Sequence, residues 1–332
     1  MEFIASPVGI APTPLVMLPA LADRLGVAAV LVKAENRRSL GNFKSLGAAH
    51  AVRLALERLD SECSSRATPR TLICASDGNH GLAVAAAARE AGIAARVYLP
   101  HHISDARASR ISNMGAAVVR VRGTYDDAVS QARAATEQGE GLLIADTSDD
   151  PNDIVVQDVM AGYAVVAEEV VMQLERHALP VPTHLFVQAG VGGFAGAMAK
   201  GVAPVMAAPG TVVVVEPRAA ACVAAGLAHR APVQIGGSLE TCADMLSCGA
   251  ASAAALDILL DHHALAIQLG EAELLAACDA MGRAGGPATT PSGAAGLAGL
   301  IAACGLDAER KRLLIADRSV ILLFATEAAS PA

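Results

Sequence analysis

Short apolar runs rich in β-branched residues alternate along the chain with longer, alanine-rich segments. The runs predict strands at 71–74, 95–99, 117–121, 142–145, 184–187, 211–215 and 320–324. The alanine-rich segments predict helices at 81–91, 105–114, 125–138, 158–173, 271–283 and 292–304. Strands that alternate with helices usually form parallel sheets that are covered on both faces. The pattern therefore predicts an α/β fold.

Two polar segments interrupt this pattern. Residues 146–153 contain four aspartates, a proline and an asparagine, and residues 61–69 are also polar. Both are typical of loops. Because 332 residues is about twice the length of a common domain, we expect the chain to cross between domains at these segments. The prediction is a larger domain formed by 1–65 and 151–332 and a smaller inserted domain at 66–150, each with a mostly parallel sheet flanked by helices.

Charge and hydropathy narrow the classes of partner. The chain carries 25 Lys and Arg against 33 Asp and Glu, a net charge of −8, which does not suit a nucleic-acid surface or an anionic membrane. The hydrophobic fraction is 53%, but aromatic residues make up only 2%, and prolines or glycines interrupt the longest uncharged runs. We expect a small-molecule ligand, with neither nucleic acid nor membrane as a partner.

The N-terminus and the cysteines bear on the compartment. The chain begins with Met1 and the acidic Glu2 and has four prolines from Pro7 to Pro19, unlike a signal peptide. Seven cysteines contain no Cys-x-x-Cys pair, which favours reduced thiols, although Cys222 and Cys248 are left open as a pair. Neighbouring histidines on regular elements point apart, so the two His-His pairs do not predict a metal site. We expect a cytoplasmic protein without a bound metal.

A glycine-rich turn follows the predicted strand 184–187. Its residues Gly190-Val191-Gly192-Gly193 precede a helix start, where main-chain N–H groups can bind a phosphate. Glu216 follows the next strand, as the ribose-binding acid does in dinucleotide sites. The turn is thus compatible with a dinucleotide, with another phosphate, or with helix packing alone.

Two further motifs carry chemistry. Ser76-Asp77-Gly78-Asn79-His80-Gly81 follows a strand and opens a helix, where a carboxylate or a ring hydroxyl could bind. Asp77 could equally cap that helix. Lys44 lies among small and apolar neighbours, and desolvation lowers the pKa of a lysine so that it can form a Schiff base. Ser292 opens another helix, where an N-cap is the default role.

Taken in chain order, from Lys44 through Ser76–Gly81 to the Gly190–Gly193 turn, these three motifs resemble those of the fold-type II pyridoxal-phosphate enzymes, the family of tryptophan synthase β, threonine dehydratase and serine racemase. The resemblance covers residues 30–327, about nine-tenths of the chain. Within the family the chain is most similar to the diaminopropionate ammonia-lyases, through Asp77, Ala145-Asp146-Thr147, 187–192 and Ala325-Thr326-Glu327. It differs from its relatives at 148–151, where they carry aromatic residues. The resemblance implies a pyridoxal 5'-phosphate cofactor and displaces the dinucleotide interpretation.

The resemblance also implies a role for each motif. The residues implied to contact the cofactor are Lys44, Asn79, Gly190, Val191, Gly192, Gly193 and Thr326. Lys44 forms the Schiff base, Asn79 faces the ring hydroxyl, Thr326 faces the pyridine nitrogen, and the glycines hold the phosphate. The residues implied to bind the substrate carboxylate are Ser76, Asp77, Gly78, Asn79 and His80.

Three residues are the predicted catalytic groups. Lys44 is the base on its own face of the cofactor, and Asp77 could take the α-proton of the D-enantiomer. Asp146 could bind or protonate a β-amino leaving group. We therefore expect a homodimeric lyase that converts 2,3-diaminopropionate, or a close relative, into a 2-oxoacid and ammonia. The alternatives within the fold are a serine or threonine dehydratase, a racemase and, less favoured, a β-replacement synthase. Outside the fold they are a nicotinamide-binding protein and a catalytically silent binding protein.

Overall fold

The computed structural model describes residues 11–62, 71–76 and 78–329, and ten strands and twelve α-helices lie within them. The strands are β1 (Leu15–Met17), β2 (Ala29–Lys33), β3 (Thr71–Ala75), β4 (Ala94–Pro100), β5 (Ala117–Val121), β6 (Leu142–Leu143), β7 (His184–Gln188), β8 (Thr211–Pro217), β9 (Leu265–Leu269) and β10 (Val320–Phe324). The helices are α1 (Pro19–Leu25), α2 (Lys44–Glu62), α3 (Asn79–Glu90), α4 (Asp105–Ser112), α5 (Tyr125–Glu137), α6 (Ile154–Arg176), α7 (Gly193–Val202), α8 (Cys222–His229), α9 (Ala253–Asp261), α10 (Glu271–Arg283), α11 (Pro291–Cys304) and α12 (Asp307–Arg312).

The chain divides into two compact units. The larger unit comprises 1–43 and 163–332, and the smaller unit is Lys44–Gly162. The domain limits predicted from the sequence, 65/66 and 150/151, differ from these. The smaller unit takes in α2 because that helix packs against α3. It also takes in the start of α6, where a side chain on Gly162 would place its Cβ 2.6 Å from the carbonyl oxygen of Leu46. Most of the predicted crossing at 61–69 lies outside the described residues.

The larger unit contains a six-stranded sheet in the order β1-β2-β10-β7-β8-β9. All neighbouring strands are parallel except β1, which is antiparallel to β2. The predicted α/β fold with parallel strands is confirmed. The sequence analysis missed β1, β2 and β9, because β1 has only three residues, β2 ends in a lysine, and β9 is partly exposed.

The smaller unit contains a four-stranded parallel sheet in the order β5-β4-β3-β6. Its strand β6 is two residues long, shorter than the predicted run, but its register is fixed by Leu72 opposite Leu142 and by Ile73 opposite Leu143. Because β3 and β6 are parallel neighbours, Ser76 and Asp146, which follow them, leave the sheet at the same edge. This edge carries the polar motifs of the smaller unit.

A buried ionic network braces the segment that leads to Lys44. Nζ of Lys33 lies 2.6 Å from Oε2 of Glu169, and the guanidinium of Arg38 bonds both Glu169 and Glu35 at 2.7–2.8 Å. All four side chains are at most 1% exposed. Buried charges are tolerated when each has partners of opposite sign. The network therefore ties β2 and the turn after it to helix α6.

Across the described ranges, the helices are all too short or too polar to cross a membrane.

Candidate active site

Lys44 is the first residue of α2, directly after a hydrogen-bonded segment of the larger unit. Leu40 and Gly41 have left-handed φ values of 63° and 77°, which turn the chain sharply. The N–H of Phe43 then donates to the carbonyl oxygen of Thr326 at 3.4 Å, and the N–H of Ala328 donates to that of Gly41 at 2.8 Å. The residues that precede Lys44 are thus held alongside the segment that contains Thr326.

Lys44 and Asp146 form an ion pair within the smaller unit. Nζ of Lys44 donates to Oδ2 of Asp146, and the side chains are 20% and 6% exposed. The hydroxyl of Tyr125 donates to Oδ1 of Asp146 at 2.7 Å. Burial opposes ionisation of Asp146, but the electrostatic effects of His80 and of the Lys44 ammonium, together with the hydrogen bonds from Lys44 and Tyr125, outweigh it and hold the pKa of Asp146 well below its usual range. Asp146 is therefore an ionised carboxylate with a donor on each oxygen.

Tyr125 is a residue that the sequence analysis missed. It opens α5 directly after Thr124, which caps the helix in a reciprocal capping box with Asp127. Its only signal in the sequence is that it follows a strand of the smaller sheet, at the edge where Asp146 also lies. The strand pattern therefore predicts that Tyr125 lies at this edge, but it does not predict the hydrogen bond to Asp146.

The Ser76–His80 turn is built around Ser76. Oγ of Ser76 accepts from the N–H groups of Gly78 and Gly81, both at 2.8 Å, so Ser76 supplies the polar cap of α3. Gly78 has a φ of 142°, a backbone conformation that favours glycine. Asn79 is half-buried at the start of the helix. Asp77, the predicted base for the D-enantiomer, lies outside the described residues.

His80 adjoins the Asp146 carboxylate from the other side. Its Nε2 lies 2.8 Å from the carbonyl oxygen of Ile144, and a carbonyl can only accept, so Nε2 carries the hydrogen. Its Nδ1 lies 3.9 Å from Oδ2 of Asp146. Burial lowers the pKa of His80, which favours the neutral ring. The structure thus brings His80, Asp146 and Lys44 together.

The predicted phosphate turn lies in the larger unit, between β7 and α7. Gly192 is the N-cap residue of α7 with a φ of 95°, and no described side chain caps the helix there. A side chain on Gly192 would place its Cβ 3.2 Å from Cγ2 of Val223. Sγ of Cys222 donates to the carbonyl oxygen of Gly190 at 3.3 Å. Val223 and Cys222 therefore pack against this turn. Main-chain N–H groups at the start of a helix can bind a phosphate, so the turn fits the phosphate group of the cofactor.

Thr326 follows β10 and is 5% exposed. Nε2 of Gln188, the last residue of β7, lies 3.0 Å from its Oγ1. A hydroxyl at this position suits a ring nitrogen, because it can donate one hydrogen and accept others. Gln188 was not predicted as a site residue, although it precedes the glycine turn.

Two sequence-based interpretations are wrong. Glu216 is not available to a ribose, because it is fully buried and its carboxylate accepts from the N–H groups of Val223 and Ala224, both at 2.8 Å. Burial raises the pKa of Glu216 to about 8.

Ser292 is not the N-cap of its helix. Thr290 caps α11 by accepting from the N–H of Gly293 at 3.1 Å, and Ser292 accepts from the N–H of Met245.

Comparison with known proteins places this geometry in context. The model of the family described as pyridoxal-phosphate dependent enzyme matches residues 7–324. Diaminopropionate ammonia-lyase of Escherichia coli K12 is 33% identical over 253 residues, which are 73% of this chain and 63% of that protein. A biosynthetic threonine dehydratase of Solanum lycopersicum is 32% identical over 232 residues, 68% of this chain and 34% of that protein. The chain therefore matches less than two thirds of the length of these curated relatives.

A solved structure is similar over a larger part of the fold. The E. coli diaminopropionate ammonia-lyase in complex with an aminoacrylate-PLP azomethine reaction intermediate has a TM-score of 0.87 and 30% identity to this chain. The similarity covers 97% of this chain and 85% of that one.

Proposed function

Because the chain belongs to the pyridoxal-phosphate-dependent enzyme family, we propose that it is a carbon–nitrogen lyase that eliminates ammonia from 2,3-diaminopropionate or a closely related β-substituted amino acid. The similarity to diaminopropionate ammonia-lyase supports this substrate class. The observation that carries the proposal is the Asp146 carboxylate, which is ionised and already bound to the primary ammonium of Lys44.

The residues described above fit the cofactor of the family. Lys44 would hold it through Nζ, the Gly190–Gly193 turn would hold its phosphate, and Asn79 and Thr326 would contact the ring. When bound, pyridoxal phosphate withdraws electrons from the α-carbon of an amino acid and so acidifies its α-hydrogen. Within the smaller unit, the low exposure of Asp146 supports the exclusion of water from this carboxylate.

Lys44 and Asp146 act on different groups of the substrate. Neutral Nζ of Lys44 takes the α-proton of the L-enantiomer. The Asp146 carboxylate binds the β-ammonium of diaminopropionate in the way that it binds the Lys44 ammonium. The C–N bond then breaks, its electron pair leaves with nitrogen, and the released ammonia already carries its own hydrogens. The β-ammonium needs no acid from the protein.

A hydroxy amino acid makes a different demand on the same residue. Hydroxide is a poor leaving group unless a proton is donated to it, and an ionised Asp146 has no proton to give. The threonine dehydratase relative makes threonine a second candidate substrate, and serine is the alternative that the family resemblance implies. The charge state of Asp146 favours diaminopropionate over both.

The two enantiomers test the assignment of the base. We propose that Asp77 takes the α-proton of D-diaminopropionate, as inferred from sequence. The experiment is to measure pyruvate release from both enantiomers by the cofactor-loaded protein, with Lys44→Arg and Asp77→Asn. Lys44→Arg keeps the positive charge beside Asp146 but cannot form a Schiff base, so it should lose turnover of both enantiomers. Asp77→Asn should lose only the D-form, and an equal loss of both forms contradicts this division.

Two expectations of the sequence analysis concern the whole protein. The homodimer rests on the family resemblance, and size-exclusion chromatography with light scattering would test it. The cytoplasmic location stays an expectation that follows from the cysteine content.

A further inference from the structure

The amide of Gln188 is enclosed by main-chain oxygens on two elements. Nε2 lies 3.0 Å from the carbonyl oxygen of Gly293 on α11 and 3.1 Å from that of Phe324 on β10. The side chain is 3% exposed. Because carbonyl oxygens can only accept, the NH₂ end of the amide must face both of them. The orientation of the amide is therefore fixed by its surroundings.

This orientation decides the direction of the contact with Thr326. Nε2 also lies 3.0 Å from Oγ1 of Thr326. The two hydrogens of this NH₂ group are shared among three acceptors, and because an amide nitrogen does not accept, Oγ1 can only be an acceptor in this contact. The hydroxyl hydrogen of Thr326 then points away from Gln188 and can be donated to another group.

The oxygen of the Gln188 amide is buried at a cost in free energy. Oε1 of Gln188 is buried, and none of the described residues donates to it. It fits there because Gly296 has no side chain: a Cβ on Gly296 would lie 3.1 Å from this oxygen. Buried polar atoms without a partner are rare in folded proteins. An apolar residue would avoid the cost, so the retained amide points to a role for its nitrogen.

We propose that Gln188 is a positioning residue that makes the hydroxyl of Thr326 a hydrogen-bond donor toward the pyridine nitrogen of the cofactor, and so keeps that nitrogen unprotonated. This inference rests on the cofactor role of Thr326 in the proposed function. A nitrogen that accepts a hydrogen bond keeps its lone pair, whereas one that faces a lone pair is driven to bind a proton. An unprotonated ring is the weaker electron sink, which favours prompt loss of the β-group over prolonged carbanion chemistry.

The test is ¹⁵N NMR of the protein loaded with cofactor labelled at the pyridine nitrogen, followed as a function of pH. The chemical shift of this nitrogen separates its protonated and unprotonated forms without any turnover. Wild-type protein should hold it unprotonated around neutral pH. In Gln188→Glu the carboxylate takes the Thr326 hydrogen, so the pKa of the ring nitrogen should rise by about one unit, the equivalent of one hydrogen bond.

Gln188→Met is the second variant, because it keeps the length of the side chain and removes all its hydrogen bonds. It leaves the Thr326 hydroxyl free to rotate and should raise the same pKa by less than Gln188→Glu. If Gln188→Glu does not fold, the pKa of the ring nitrogen in Gln188→Met alone tests the role of Gln188. A ring nitrogen with the wild-type pKa in every variant that binds cofactor would overturn the inference.

Thr326→Val separates this inference from the assignment beneath it. If Thr326 faces the ring nitrogen, the Val variant changes the ¹⁵N signal whatever Gln188 does. A changed signal in Thr326→Val with wild-type behaviour in the Gln188 variants refutes only the role of Gln188. An unchanged signal in Thr326→Val refutes the cofactor role of Thr326, and the inference falls with it. Neither result depends on which amino acid the enzyme consumes.

Discussion

The ammonium of Lys44 and the carboxylate of Asp146 form an ion pair inside the smaller unit, with Asp146 only 6% exposed. Tyr125 occupies the second carboxylate oxygen, so Asp146 is held ionised and in one orientation. A carboxylate that already binds one primary ammonium is complementary to a second, the β-ammonium of the proposed substrate. Under the proposed function, this complementarity favours an ammonium leaving group over a hydroxyl group.

Replacing Asp146 should therefore penalise one leaving group more than the other. Asp146→Asn keeps the shape but removes the charge, and a hydrogen bond to a charged group contributes about 1.5–3 kcal/mol, so kcat/KM for diaminopropionate should fall by roughly 10- to 100-fold. Turnover of serine should fall less. Asp149→Asn, at an 86% exposed side chain, is the matched control and should change neither. Equal losses for both substrates would contradict the assigned role.

The glycine turn should be sensitive at one position in particular. Gly192→Ala puts a side chain on a residue with a φ of 95° and brings its Cβ to 3.2 Å from Val223. A left-handed non-glycine residue costs about 1–2 kcal/mol, so the alanine should move the turn out of this conformation. Restoring the conformation to bind the phosphate should then lower the affinity for pyridoxal phosphate by about tenfold. The affinity for pyridoxal, which lacks the phosphate, should change little. Gly236→Ala, where an added Cβ meets open space, is the control. Loss of both affinities in parallel would indicate general damage rather than a phosphate site.

The buried network around Glu169 should contribute to stability. Glu169→Ala leaves Lys33 and Arg38 buried with a missing partner, and removing one member of a buried ion pair costs about 3–5 kcal/mol of unfolding free energy. Glu57→Ala breaks the exposed pair with Arg53 and should cost about 0.5 kcal/mol or less. Urea unfolding of the two variants and the wild type measures the difference. Similar costs for both would contradict the account of the network.

Glu216 gives the stability a defined pH dependence. Burial raises its pKa to about 8, above the ordinary value of 4.5. A raised pKa means that the folded state binds the proton more tightly than the unfolded state. The contribution of Glu216 to stability is therefore full below its unfolded pKa and is lost as pH rises through 8. The advantage of the wild type over Glu216→Gln should shrink between pH 5 and pH 9 in thermal unfolding. An advantage that grows with pH would show that Glu216 is stabilised as a carboxylate.

The sequence predicts the motifs of the site better than their partners. Lys44, Ser76 and Asp146 are predicted from local patterns, because each follows a turn or strand end that the chain itself specifies. Tyr125 and Gln188 are not, since their partners Asp146 and Thr326 lie 21 and 138 residues away. Strand β2 was missed for a similar reason. Its final residue, Lys33, is polar in the pattern but buried in the fold, where Glu169 from 136 residues away neutralises it.

Glu216 shows the opposite error, in which a local pattern predicts too much. An acid after a strand matches the ribose contact of a dinucleotide site. Whether such an acid reaches a ligand depends on the next element, and here α8 begins close enough for its N–H groups to bind both carboxylate oxygens. No pattern along the strand reports that placement.

The ratio of kcat/KM for L-diaminopropionate to that for L-serine tests the central claim most directly. We predict that diaminopropionate is preferred by at least about tenfold, the worth of one charge-assisted hydrogen bond, and that two ammonia molecules appear for each pyruvate. A protein that turns over serine or threonine more efficiently than diaminopropionate would contradict the account and place the chain among the dehydratases.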